Sequence, residues 1–209
     1  MNIKGKKIAF LGDSITEGYG ATNRYGYVDY IKEYSGANCF NFGIAGTRIA
    51  KQKEFSLNNP LYDKDFCMRA EDLDGDFDYI VVFGGTNDFG HGDAPLGAFS
   101  DRTPDTFYGA LHTLYNILLK KYSKSKIVVV TPIYRTAQGE LIKPDLSLKS
   151  YVKAIKQVAE YYDLSVLDLF ENDGCSVFDD SLLSDGLHPN NDGHRKIARF
   201  IIDFLENNF

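Results

Sequence analysis

The stretch DYIVVFGG, residues 78–85, does most to limit what this chain can fold into. It is a continuous apolar run of strand length, rich in β-branched side chains and closed by two glycines. A run without polar alternation predicts a strand buried on both faces, as in a parallel sheet covered by helices. Four further runs have similar length: KIAFLG (7–12), NCFNFG (38–43), KIVVVTP (126–132) and LSVLDL (164–169). Pro132 stops the fourth of them.

Helical spacing fills the intervals. YGYVDYIKEYSG (25–36) predicts a helix ended by Gly36. Thr103 with Pro104 predicts a helix start, followed by the stripe Phe107, Ala110, Leu111, Leu114 and Leu118. Ser147 predicts the next cap, before Leu148, Val152, Ile155, Ala159 and Tyr162. Ile197, Ile201, Phe204 and Leu205 mark a last helix. Strand and helix thus alternate, which predicts an α/β fold: a parallel sheet between two helical layers, a three-layer α/β/α sandwich. Two stretches stay irregular, 47–76 (partly helical) and the glycine-containing loop FGHGDAPLGAFSDR (89–102). No repeat or linker interrupts the pattern, so residues 1–209 are expected to form one domain.

Composition narrows the function classes. The chain is 44% hydrophobic and 25% charged, an ordinary globular balance. Its net charge of −6 and pI near 5.2 disfavour nucleic acid as a partner. No stretch approaches the length of a membrane span, so no membrane partner is expected. Cys39, Cys67 and Cys175 are odd in number and lack metal-type spacing, which predicts reduced, buried thiols and a cytoplasmic protein. EDLDGDFD (71–78) alternates Asp72, Asp74, Asp76 and Asp78, but Phe77 and Phe83 stand where a calcium loop needs Gly and Glu, so it reads as a solvated acidic loop.

Ligands of open α/β sheets bind at the carboxyl ends of the strands. Four motifs fall there or in the last loop: GDS (12–14), NFGIAG (41–46), GGTND (84–88) and DGLHP (185–189). Ser14 read alone is a helix cap; as a nucleophile it needs a base. Among four histidines, His112 and His194 read as helix-surface positions, and His91 as a loop residue that can line a pocket. His188 is held between an Asp-Gly turn and Pro189, with Asp185 three residues earlier. That spacing lets Asp185 hold Nδ1 while Nε2 faces a serine hydroxyl. It also reads as a plain surface turn. Asn87, Gly46 and the Ser14 N–H are candidate donors to an oxyanion, with an Asx turn and a turn glycine as the ordinary alternatives. Asp13 is expected to bond backbone and brace the loop.

In this order the four motifs resemble the consensus blocks of the SGNH hydrolases, the GDSL family of esterases and lipases. The resemblance spans residues 12 to 189. It implies a flavodoxin-like, five-stranded parallel sheet. It places the nucleophile on Ser14, oxyanion donors on Gly46 and Asn87, and the acid and base on Asp185 and His188, without a departure at these positions. No metal or organic cofactor is implied. The GxSxG elbow of the α/β-hydrolases is absent.

The expected reaction is hydrolysis of a small soluble carboxylic ester, an acetylated carbohydrate being the leading candidate. Loop position alone assigns Arg48, Phe89, His91, Tyr134 and Arg135 to substrate binding. A lysophospholipase or acyl-thioesterase, an acyltransferase, and a non-catalytic ligand-binding protein on the same fold remain alternatives. The oligomeric state, a homo-oligomer included, stays open.

Overall fold

The computed structural model describes residues 2–56, 59–136, 146–172 and 175–209. In chain order the main elements are β1 (Lys7–Gly12), α1 (Ser14–Glu17), α2 (Tyr27–Ser35), β2 (Asn38–Gly43), α3 (Phe66–Asp72), β3 (Tyr79–Phe83) and α4 (Thr86–Gly90). They continue with α5 (Phe107–Lys121), β4 (Lys126–Val130), α6 (Leu148–Tyr161), β5 (Ser165–Leu167) and α7 (Asn191–Asn208). The five strands form one parallel sheet in the order β2-β1-β3-β4-β5. This is the flavodoxin-like order, whose switch point lies between β1 and β3.

Strand periodicity divides the core into two layers. Ala9, Leu11, Ile80, Val82, Ile127 and Val129 face the layer formed by α3, α5 and α6. Ile8, Phe10, Tyr79, Val81, Val128 and Val130 face α2 and α7. In β3 all five residues are buried. Continuous hydrophobicity is what a strand covered on both faces requires.

Local chemistry moves some boundaries. The α5 cap is Thr106, whose side chain accepts the Gly109 N–H, so the helix begins after Thr103 and Pro104. Ser147 does precede α6, but its hydroxyl meets Ser150 Oγ at 3.2 Å and makes no capping bond. Gly36 ends α2 in the left-handed conformation.

His112 and His194 are buried, contrary to the surface positions expected of them. His112 lies 3.0 Å from the Phe99 carbonyl and 3.3 Å from the Tyr162 hydroxyl. The Nδ1 of His194 accepts the Tyr27 N–H at 3.1 Å, so its Nε2 carries the proton and donates to the Tyr19 carbonyl at 2.9 Å. Both rings act as polar cross-ties between segments far apart in sequence. Cys67 is a buried free thiol, whereas Cys39 is only half-buried and the Cys175 side chain lies outside the described residues. Among the described residues, no helix is long and apolar enough to cross a membrane, and no cluster of His, Cys, Asp or Glu could hold a metal ion.

Candidate active site

The end of β1 passes straight into α1, and Asp13 rather than Ser14 caps that helix. Its carboxylate accepts the Ile15 N–H at 3.0 Å. The expected brace at Asp13 is therefore present, and the Ser14 side chain is left with no capping duty. Burial pushes Asp13 up to about 7, against the pull of its backbone bond and the Arg69 charge.

The other half of the site comes from the turn before α7. Ser184 N–H and Oγ both donate to the His188 carbonyl, at 2.8 and 3.1 Å. An isolated bridge pairs Leu183 with Pro189, so the turn between them is closed at its base. Inside it, Asp185 Oδ1 accepts the N–H groups of Leu187 at 3.0 Å and His188 at 2.7 Å. Asp185 Oδ2 lies 2.7 Å from His188 Nδ1, and His188 Nε2 lies 3.0 Å from Ser14 Oγ. Burial opposes ionisation of Asp185, but the imidazole, the two N–H bonds and the His188 charge outweigh it and hold its carboxyl below the ordinary range. A carboxylate can only accept, so Nδ1 carries the proton and Nε2 presents a lone pair to the Ser14 hydroxyl.

Asn87 and Gly46 stand across from Ser14. Asn87 lies in α4, directly after β3, and its Nδ2 donates to the Thr47 carbonyl at 3.0 Å. That bond uses one amide hydrogen and leaves the second. Gly46 has φ +75°, and a Cβ there would lie 2.8 Å from the Tyr62 ring. Only glycine fits this close approach without strain. Among the described residues, the N–H groups of Ser14 and Gly46 find no acceptor. Three donors thus border one cavity of about 420 Å³, lined by Ser14, Gly46, Asn87 and His188 together with Tyr19, Tyr62, His91 and Arg135.

The loop carrying Gly46 is fixed from several sides. Glu17 accepts the Ala45 N–H at 2.6 Å, and Asp88 accepts those of Ile49 and Ala50 at 3.0 and 2.9 Å. Buried Arg69 donates to the Thr47 hydroxyl at 2.8 Å and to the Phe42 carbonyl. Asp88 follows Asn87 in GGTND, so the motif itself held a clue to it. Tyr19 and Tyr62 had no such signal: each lies in a segment without periodicity. The Tyr19 ring lies 5.4 Å from that of His188.

The five residues assigned to substrate binding separate. His91 and Arg135 line the cavity. Arg48 is buried behind them, with its Nη1 3.2 Å from the Gly46 carbonyl and 3.3 Å from His91 Nδ1. Phe89 instead turns into the core against Tyr151, its ring beneath the Arg135 guanidinium. Tyr134 packs against the layer formed by α2 and α7. Partial burial, then the charges of Arg48 and Arg135, push His91 down to about 4.

A 2-1-3-4-5 sheet with this serine, histidine and aspartate at its switch point has the architecture of the SGNH hydrolases. The chain belongs to the GDSL-like lipase/acylhydrolase family, whose model matches residues 10–196. A protein from Lactobacillus plantarum superposes with a TM-score of 0.84 at 31% identity, over 99% of each chain. A possible lipase from Chitinophaga pinensis shares the fold, with a TM-score of 0.71 at 19% identity over 96% of this chain and 98% of that one. An acetylxylan esterase from Xylanibacter ruminicola is 26% identical over 93% of this chain. This chain spans only 42% of that relative's length.

Proposed function

We propose that the protein is a carboxylic ester hydrolase that works through a Ser14–His188–Asp185 triad and an acyl-enzyme. The observation that carries this reading is the continuous chain from Ser14 Oγ to His188 Nε2, at 3.0 Å, and from Nδ1 to Asp185, at 2.7 Å. His188 takes the hydroxyl proton as Ser14 attacks the ester carbonyl. The Ser14 and Gly46 N–H groups and the Asn87 amide hold the oxyanion. Collapse of the tetrahedral intermediate sends the proton from His188 to the leaving alcohol. Water, deprotonated by the same histidine, then releases the acid and frees Ser14.

The substrate we favour is a small soluble ester, in particular an acetylated carbohydrate. Its support is the aromatic and polar lining of the cavity and the name of the Xylanibacter relative. The free thiols Cys39 and Cys67 favour a cytoplasmic setting.

An ester panel with wild type and Ser14→Ala side by side tests the chemistry. Ser14→Ala should lower kcat on 4-nitrophenyl acetate by about 10³ or more, and a fluorophosphonate should label Ser14. Normal turnover by the variant would overturn the reading. A series from acetyl to dodecanoyl esters should fall with chain length; a rise would transfer the assignment to a lysophospholipase or acyl-thioesterase.

A further inference from the structure

The segment that follows α1 packs against the turn carrying His188. The Tyr19 ring and the His188 imidazole have their centroids 5.4 Å apart, tilted by 36°. Within its own turn the imidazole leans on Asp185, whose side chain is 53% exposed. Water competes for so exposed a carboxylate, and the pair alone contributes little hold on the ring. A restraint from a second element therefore matters here.

That element is itself well fixed. Gly20 has φ +86°, and a Cβ there would lie 2.9 Å from both His188 Cβ and Ser184 Oγ and collide with the Pro189 carbonyl. Only glycine lets the two backbones meet so closely. The buried His194 ring donates to the Tyr19 carbonyl at 2.9 Å. Asn191 makes a double bond pair with Thr22: its Oδ1 accepts the Thr22 N–H at 2.9 Å, and its Nδ2 donates to Thr22 Oγ1 at 3.1 Å. The segment is thus tied to α7, the helix that follows the His188 turn.

Asn23 and Arg24 come next, in the left-handed region at φ +55° and +57°. An arginine is strained there. The strained backbone sets a guanidinium over the Tyr19 ring. The same guanidinium lies 3.7 Å from Glu17, whose other carboxylate oxygen accepts the Ala45 N–H beside Gly46. Strain of this kind persists where the placement serves a function.

We propose that Arg24 and Tyr19 are positioning residues for the catalytic base. Arg24, held by Glu17, clamps the Tyr19 ring, and that ring keeps the His188 imidazole aligned between Asp185 and Ser14. Attraction between the cation and the ring face favours the clamp. The effect on rate rests on the esterase reading; the hold on the ring does not.

Arg24→Gly separates positioning from general support. It relieves the left-handed backbone, so the unfolding midpoint should hold, while kcat on 4-nitrophenyl acetate should fall by roughly 10- to 100-fold. One histidine serves both acylation and deacylation, so KM should stay within about twofold. Tyr19→Leu should behave alike, and Tyr19→Phe, which keeps the ring, should recover most of the loss. If Tyr19→Leu does not fold, Arg24→Gly, at the surface, carries the test. A wild-type rate for Arg24→Gly overturns the proposal. So does a raised KM with kcat kept, which would make Tyr19 a substrate contact instead.

Nitrogen NMR of isotope-labelled histidine, above about pH 8 where the ring is neutral, reads the hold without turnover. His188→Gln assigns the signals. Wild type should show His188 with its proton on Nδ1; Arg24→Gly and Tyr19→Leu should move it toward the Nε2–H form that free histidine favours. An unmoved tautomer in both variants overturns the proposal. If Ser14→Ala keeps wild-type turnover, the esterase reading fails alone and the spectra still decide the positioning. If Ser14→Ala is inactive and the variants change neither rate nor tautomer, the positioning fails alone.

Discussion

Asp185 grips His188 twice: Oδ1 accepts its main-chain N–H and Oδ2 lies against its Nδ1, both at 2.7 Å. One carboxylate therefore sets both the backbone of the turn and the tautomer of the ring it carries. Asp185→Asn keeps an acceptor for the backbone but presents an amide donor or a neutral oxygen to Nδ1. The wrong tautomer then faces Ser14, and kcat should fall by about 10²–10⁴-fold. Steady-state kinetics on 4-nitrophenyl acetate, with thermal unfolding as a check on the fold, decide this. Unchanged kcat would remove Asp185 from the triad.

Asn87→Ala should lower kcat by about 10²–10³. Part of the effect runs through Thr47, whose carbonyl loses its donor. Asn87→Asp keeps the size of the side chain, loses the donor to the Thr47 carbonyl as alanine does, and adds negative charge where the proposed oxyanion would form. Its kcat should be no better than that of alanine, and recovery of activity would count against an oxyanion role.

Gly46→Ala forces a Cβ onto a left-handed backbone and into the Tyr62 ring. The backbone strain alone should cost about 1–2 kcal/mol, read as a drop in unfolding midpoint. Tyr62→Ala in the same chain removes the clash but not the strain, so the double variant should recover only part of the stability.

His194 must be neutral to accept the Tyr27 N–H. Burial, and secondarily the His188 charge, push it down to about 4, although its bond to Tyr19 and the Asp29 charge pull the other way. Its folded value lies below the unfolded one of about 6.5. The unfolded chain therefore binds more protons, and stability falls as pH drops from about 6.5 toward 4. His194→Gln should flatten that part of the profile in thermal unfolding. An unchanged slope would assign the acid sensitivity elsewhere.

Asp13 acts with the opposite sign. Its folded value is raised to about 7 by burial, so its contribution is complete below about 4 and lost as pH rises to about 7. Asp13→Asn keeps an oxygen for the Ile15 N–H and removes the charge. It should raise the unfolding midpoint at pH 8 relative to pH 4, compared with wild type.

The sheet was legible because burial on both faces writes itself into sequence as continuous apolar runs. All five strands were expected, but only the central β1, β3 and β4 are buried in this way; the edge strand β2 carries Asn38 and Asn41 and has no buried residue, and observed ends differ from those expected by at most a few residues. The four motifs were legible because each sits just past a strand end or in a tight turn, where local chemistry restricts the residue. Partners that meet only in the folded chain left no such trace. His112 and His194 sit at positions where a helix alone shows no reason for burial; Phe99, Tyr162, Tyr19 and Tyr27 supply it from elsewhere. Phe89 follows the same rule. Its loop position pointed to the cavity, but the short helix α4 rotates it into the core and gives its place at the wall to Gly90 and His91.

Ser14 and His188 are 174 positions apart, and the turn holding His188 is closed only when Pro189 pairs with Leu183. During synthesis Ser14 leaves the ribosome well before His188. A nascent chain can already have its first strands in place and still lack the imidazole that meets Ser14. The contact between Ser14 and His188 consequently forms late relative to the first strands, and a chain truncated before residue 188 holds Ser14 without that imidazole.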